Sequence, residues 1–136
     1  MNKLRRNDYA KLIEQYGKRN GRQGYDYIIH LKFNENYRKS LIPRGNLKEW
    51  YVNVSKNTKI DGIINFDKDK EGYVYLHGVV MCSLNINEFR KLIEKTWSGF
   101  GEFKFDIFNK YSGIEHYMSK FVNNEIIQYD ILVNLT

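Results

Sequence analysis

Residues 72–80 read GYVYLHGVV, and the histidine in that run, His77, is the first side chain whose chemistry stands out. The run is rich in β-branched and aromatic residues and predicts a strand. Residues two apart on a strand point the same way, so a His-x-His pair would aim two imidazoles at one metal ion. Here the earlier place is Tyr75. A phenol titrates near about 10, stays protonated at neutral pH and is a poor ligand for a hard cation. The run is either half of a metal site or an ordinary strand with one histidine. Tyr117 and Lys120, three apart in a helical pattern, are neighbours on a helix surface. Tyr117 also belongs to the stripe Ile114, Tyr117, Met118, Phe121, which is the pattern of a core-facing helix.

The elements that must position these residues follow from periodicity. Residues 1–136 read as one domain, with 1–24 forming a basic N-terminal helix and loop. Asn7 is placed to cap a helix with Tyr9, Leu12, Ile13 and Tyr16 on one face. Three capping-box patterns, Asn46 with Glu49, Asn85 with Glu88 and Ser112 with Glu115, open three further helices, the last running to about Asn123. Strands are predicted over 25–33, 59–66, 73–80, 101–109 and 126–135, with DKDKEG turning the second into the third. The fold class is therefore α+β: a single five-stranded, mainly antiparallel sheet with helices packed against it.

The chain has 136 residues, a net charge of +6 and a pI near 9.3, a balance that suits a polyanionic partner or a lysine-rich, soluble surface. Its one cysteine, Cys82, excludes an internal disulfide or a cysteine zinc cage and reads as a buried thiol. No apolar run is long enough to span a membrane, and the start lacks the apolar core of a signal peptide, so the expected place is the cytoplasm. Arg19, Arg22, Arg38, Lys39 and Arg44 lie in two loop segments, as phosphate contacts or as solvated charge. Trp97, Phe100 and Tyr111 are candidates to stack on unpaired bases, although Trp97 also fits a helix stripe.

Taken in order, L-H-G-V-V on a hairpin strand, W-S-G-F-G-E-F-K after a helix, and Y-M-S-K-F-V on a later helix resemble the small HUH endonucleases. These are rolling-circle replication initiators (Rep proteins) of plasmids, phages and archaeal viruses, together with related transposases. The resemblance covers roughly residues 25–135 and implies a ferredoxin- or RRM-like sheet fold. It places Tyr117 as the nucleophile, Lys120 as its phosphate-binding or phenolate-favouring neighbour, and His77 as the second metal-binding histidine. Tyr75 stands where the family has the first histidine. The family's third ligand comes from a neighbouring strand, for which Asp67, His30 and Asn65 are candidates. If Asp67 paired with Gly72, Ile64 would lie opposite Tyr75, and a shift of one residue changes which side chains face the site. His116 adjoins Tyr117 but projects about 100° away around the helix and has a lesser role.

The resemblance implies an initiator that nicks single-stranded or hairpin origin DNA. It would hold the 5′ phosphate on Tyr117 and transfer the strand with the help of Mg²⁺ or Mn²⁺. A homodimer to manage two DNA ends and a host helicase or polymerase are the expected partners. The alternative expectation is the same fold with its metal site decayed through Tyr75, kept as a nucleic-acid-binding protein. A third is a small structural or regulatory protein with a basic surface.

Overall fold

In a computed structural model describing residues 2–18, 24–35, 37 and 42–133, the β-branched and aromatic runs pair into one antiparallel sheet. The elements are β1 (Asn2–Arg5), α1 (Arg6–Gly17), β2 (Tyr27–Phe33), α2 (Pro43–Ser55), β3 (Ile60–Lys68) and β4 (Val74–Cys82), then α3 (Ile86–Trp97), β5 (Gly101–Ile107), α4 (Gly113–Phe121) and β6 (Ile126–Leu132). The strand order is β1-β6-β3-β4-β2-β5. The α+β class holds, with six strands where the sequence predicts five. The additional strand, β1, reads NKLR, carries no apolar alternation, and exists through its pairing with β6 at the sheet edge.

Strand alternation divides the core in two. Leu76 and Val80 of β4 join Leu47, Trp50 and Val54 of α2 and Phe89, Ile93 and Trp97 of α3. Val79 and Met81 point to the other face, where they meet Tyr9 and Ile13 of α1 and Tyr117 and Met118 of α4. On the first face Tyr27 stacks on Phe89 with ring centroids 4.0 Å apart. Trp97 is fully buried, and its indole N–H donates to the carbonyls of Lys32 (3.2 Å) and Glu102 (3.0 Å). Trp97 thus ties β2 to β5 from within the core, and Phe100 is buried beside it, so neither is free to stack on a base. Tyr111, by contrast, is fully exposed.

The helix starts show which local signals decide. The Asn85–Glu88 box forms in full: the Glu88 amide donates to Asn85 Oδ1 (2.9 Å) and the Asn85 amide to Glu88 Oε1 (3.1 Å). The Asn46–Glu49 box does not form. Pro43 starts α2 instead, its fixed φ suiting the first helical turn, and Asn46 is buried inside the helix. Ser112 sits at the N-cap of α4 without a side-chain bond, and Asn109 Oδ1 accepts from the amides of Tyr111 and Ser112. Likewise Asn7 lies within α1, which begins at Arg6. Cys82 is a buried free thiol. Among the described residues no helix is long and apolar enough to cross a membrane.

Gly78, next to His77 in β4, has no room for a side chain, because a Cβ there would run into the backbone oxygen of Ile63 on β3. Gly78→Ala is expected to lower stability by about 1–3 kcal/mol, the usual range for overpacking, read from urea unfolding monitored by circular dichroism.

Candidate active site

Antiparallel register lines up polar residues across the middle of the sheet on the α1–α4 face. His30 of β2 faces His77 of β4, which faces Asn65 of β3, which faces Tyr129 of β6. One step along the hairpin, Asp67 pairs with Tyr75. The β3–β4 turn is thus wider than a pairing of Asp67 with Gly72 would require, because the strands close at Lys68 and Val74. This register sets Asn65 and Asp67 on the same face as His77.

Helix α4 closes over this row. The Tyr117 hydroxyl lies 3.1 Å from His77 Nδ1 and 3.3 Å from the Tyr9 hydroxyl of α1. On the other side of the ring, His77 Nε2 is 3.4 Å from the Asn65 amide nitrogen and 3.9 Å from Asp67 Oδ2. The Asn65 amide nitrogen only donates, so His77 Nε2 accepts from it and the ring hydrogen sits on Nδ1. Nδ1 then donates to the Tyr117 oxygen, and the Tyr117 hydroxyl hydrogen faces the His77 carbonyl (3.4 Å) and the Tyr9 oxygen. Asp67 Oδ1 accepts from the Lys68 amide (2.8 Å) and from Asn124 (2.7 Å), which holds the carboxylate in place. Arg6 fixes the end of α4 by donating to the carbonyls of Val122 (3.1 Å) and Met118 (2.9 Å).

His77 and Tyr117 are buried, at 1% and 0% exposure, so the Tyr117 oxygen lies beneath the surface. The cover is Phe121, whose ring centroid is 5.9 Å from those of both His77 and Tyr117 and 6.3 Å from that of His30. Burial pushes the Tyr117 phenol well above its ordinary value, and Tyr9 adds to this. Tyr75 is raised by burial and then by the Asp67 carboxylate beside it. Burial alone would raise Asp67, but the nearby His77 ring and the hydrogen bonds from Lys68 and Asn124 hold its carboxyl below the ordinary range. His30 is lowered to about 4, first by burial and then by His77, Lys32 and Lys104.

Four of the residues singled out by sequence, Tyr117, His77, Asp67 and Asn65, therefore meet in space. His30 is adjacent, its ring centroid 6.4 Å from that of His77, with Nε2 buried and without a hydrogen-bond partner among the described residues. Lys120 is exposed and its ammonium lies 5.4 Å from the Phe121 ring centroid, on the outside of α4. His116 is also exposed. Arg44 is spent on structure: it pairs with Asp130 and covers the Phe66 ring at 4.4 Å, on the α2–α3 side of the sheet. Arg19, Arg22, Arg38 and Lys39 lie outside the described residues. Sequence reasoning did not single out Tyr9 or Arg6. Tyr9 looks like any member of the α1 stripe, and only the packing of α1 on α4 brings its hydroxyl to Tyr117.

The side chains that could hold a divalent cation lie around His77. Asp67 Oδ2, His77 Nε2 and the Asn65 side-chain amide, turned to present its oxygen, converge from β3 and β4. Mg²⁺ and Mn²⁺ are commonly held by one or two protein carboxylates, with phosphate and water filling the other positions. His30 stands on the far side of His77 from these donors. No family model matches the chain, and no curated protein is significantly similar to it.

A histidine held neutral by its surroundings leaves a mark on stability. His30 is depressed in the folded protein from 6.5 to about 4, so its contribution is complete above pH 6.5 and is lost as pH falls toward 4. Urea unfolding between pH 7 and pH 4.5 is expected to show wild type losing more stability than His30→Gln over that window; equal losses would refute the assignment.

Proposed function

We propose that this chain nicks and rejoins single-stranded DNA, with Tyr117 as the nucleophile. The observation that carries this reading is the 3.1 Å approach of the Tyr117 hydroxyl to His77 Nδ1, between residues 40 apart in sequence, with Asp67 behind the ring. In the forward step the Tyr117 oxygen attacks the scissile phosphorus and the bond to the 3′ oxygen breaks. The phenol's proton ends on that 3′ oxygen, and the 5′ phosphate stays on the protein as a phosphotyrosine. The reverse attack by a 3′ hydroxyl rejoins the strand.

Burial and a raised phenol oppose this chemistry until the site opens, so Phe121 must turn away for DNA to reach Tyr117. The His77 Nδ1 hydrogen then favours the Tyr117 anion, against Tyr9, which raises the phenol. Asp67, Asn65 and His77 Nε2 would hold Mg²⁺ or Mn²⁺, which when bound offsets charge on a phosphate oxygen. With Nε2 so engaged, the ring hydrogen stays on Nδ1 and His77 keeps donating to the Tyr117 oxygen. The two β3 side chains thus take the place of the histidine that Tyr75 replaces. A replication initiator acting in the cytoplasm on origin or hairpin DNA, as a homodimer and with a host helicase or polymerase, is the setting this reading implies.

A second reading is favoured by the complete burial of Tyr117: a catalytically silent nucleic-acid-binding protein of the same fold. A denaturing-gel assay with labelled single-stranded DNA and Mn²⁺ separates the two. Wild type is expected to give a covalent adduct that Tyr117→Phe does not form, and Asp67→Ala is expected to lower its yield about 10–100-fold. Binding without any adduct, on DNA taken from the adjoining origin, would establish the second reading.

A further inference from the structure

Three surface hollows share His30 in their walls. The one nearest Tyr117 runs between the β2–β5 pair and α4 and encloses about 220 Å³, with His30, Lys104, Lys120 and Phe121 around it. Lys104 is the direct cross-strand partner of His30, while Lys120 reaches the groove from the last turn of α4. Asp106 also lines it and offsets one lysine, leaving a net positive charge around the histidine. The His30 ring carries a buried Nε2 that no group among the described residues satisfies. A buried, unpaired polar atom is unfavourable unless a ligand supplies the missing hydrogen bond.

We propose that this groove binds a backbone phosphate of single-stranded DNA beside the Tyr117 site. Lys104 and Lys120 supply the charge, His30 Nε2 the hydrogen bond, and Phe121 a ring face for a neighbouring base. The class of ligand rests on the nicking reading; the groove and its residues do not. The geometry couples the two places. Phe121 covers His30 as well as His77 and Tyr117, so one displacement of its ring opens the histidine to a phosphate and the tyrosine to the bond it attacks. Lys120 therefore acts on the DNA from outside the helix and not on the Tyr117 oxygen, which lies on the helix's buried side.

The test uses the full chain carrying Tyr117→Phe, which cannot form an adduct, and fluorescence anisotropy with a labelled mixed-sequence oligonucleotide over a salt series. Lys104→Gln and Lys120→Gln are each expected to flatten the slope of log K against log salt by about 0.7, the value for one single-strand phosphate contact. His30→Gln is expected to weaken binding about tenfold without altering the slope, because the lost hydrogen bond carries no net charge. Lys48→Gln, exposed on α2 at the opposite face, should behave as the parent. Unchanged slopes and affinities in both groove lysine variants overturn the proposal, as does a parent protein that does not bind. Parent-like adduct formation by the lysine variants in an otherwise wild-type chain, together with unchanged slopes, overturns the groove and leaves the nicking reading standing. Binding with the expected slopes but no adduct from wild type supports the groove and removes the nicking reading.

Discussion

In β4 successive side chains enter different cores, and on the α1–α4 side the sequence changes from Met81 and Val79 to His77 and Tyr75. That change places an imidazole where hydrocarbon would otherwise pack. A polar group there is tolerated only if its hydrogen bonds are made inside the protein. The surrounding elements meet that demand from three directions: Asn65 from β3, with Asp67 close beside it, Tyr117 from α4, and Tyr9, through Tyr117, from α1. The register of the β3–β4 pair matters most, since a shift of one residue would turn Ile64 and Phe66 toward His77 and send both polar partners to the other core.

Local chemistry was legible where it acts locally. The Asn85–Glu88 box and the alternation of β4 depend on residues within a few positions, and both appear as read. The meeting of Tyr117, His77 and Asp67 could be anticipated only through motif order, because no local pattern relates residues 77 and 117. What was not legible depends on partners far along the chain. NKLR becomes a strand because β6 offers it an edge, and Asn46 is drawn into α2 because Pro43 suits the first turn better than Asn46 suits a cap. Arg44 has the look of a phosphate ligand in sequence, but Asp130 and Phe66 occupy it once β3 and β6 lie side by side. Tyr9 carries no marker at all, since a stripe tyrosine that only fills a core and one whose hydroxyl bonds to another helix's side chain have the same spacing.

The site as folded is closed, and the bonds around α4 indicate how it opens. Arg6 grips the Met118 carbonyl before Phe121 and the Val122 carbonyl after it, so the backbone on either side of the covering ring is tied to α1. Unwinding the last turn would break both of these bonds and strand polar groups in a region that is largely out of solvent. Rotating the Phe121 side chain breaks neither. Its losses are ring contacts with His77, Tyr117 and His30, which are individually small, and its gains are access for water or phosphate to the unpaired His30 Nε2. The balance therefore favours a side-chain gate over a moving helix. Tyr117 can then stay hydrogen-bonded to Tyr9 and His77 while its oxygen becomes reachable from outside.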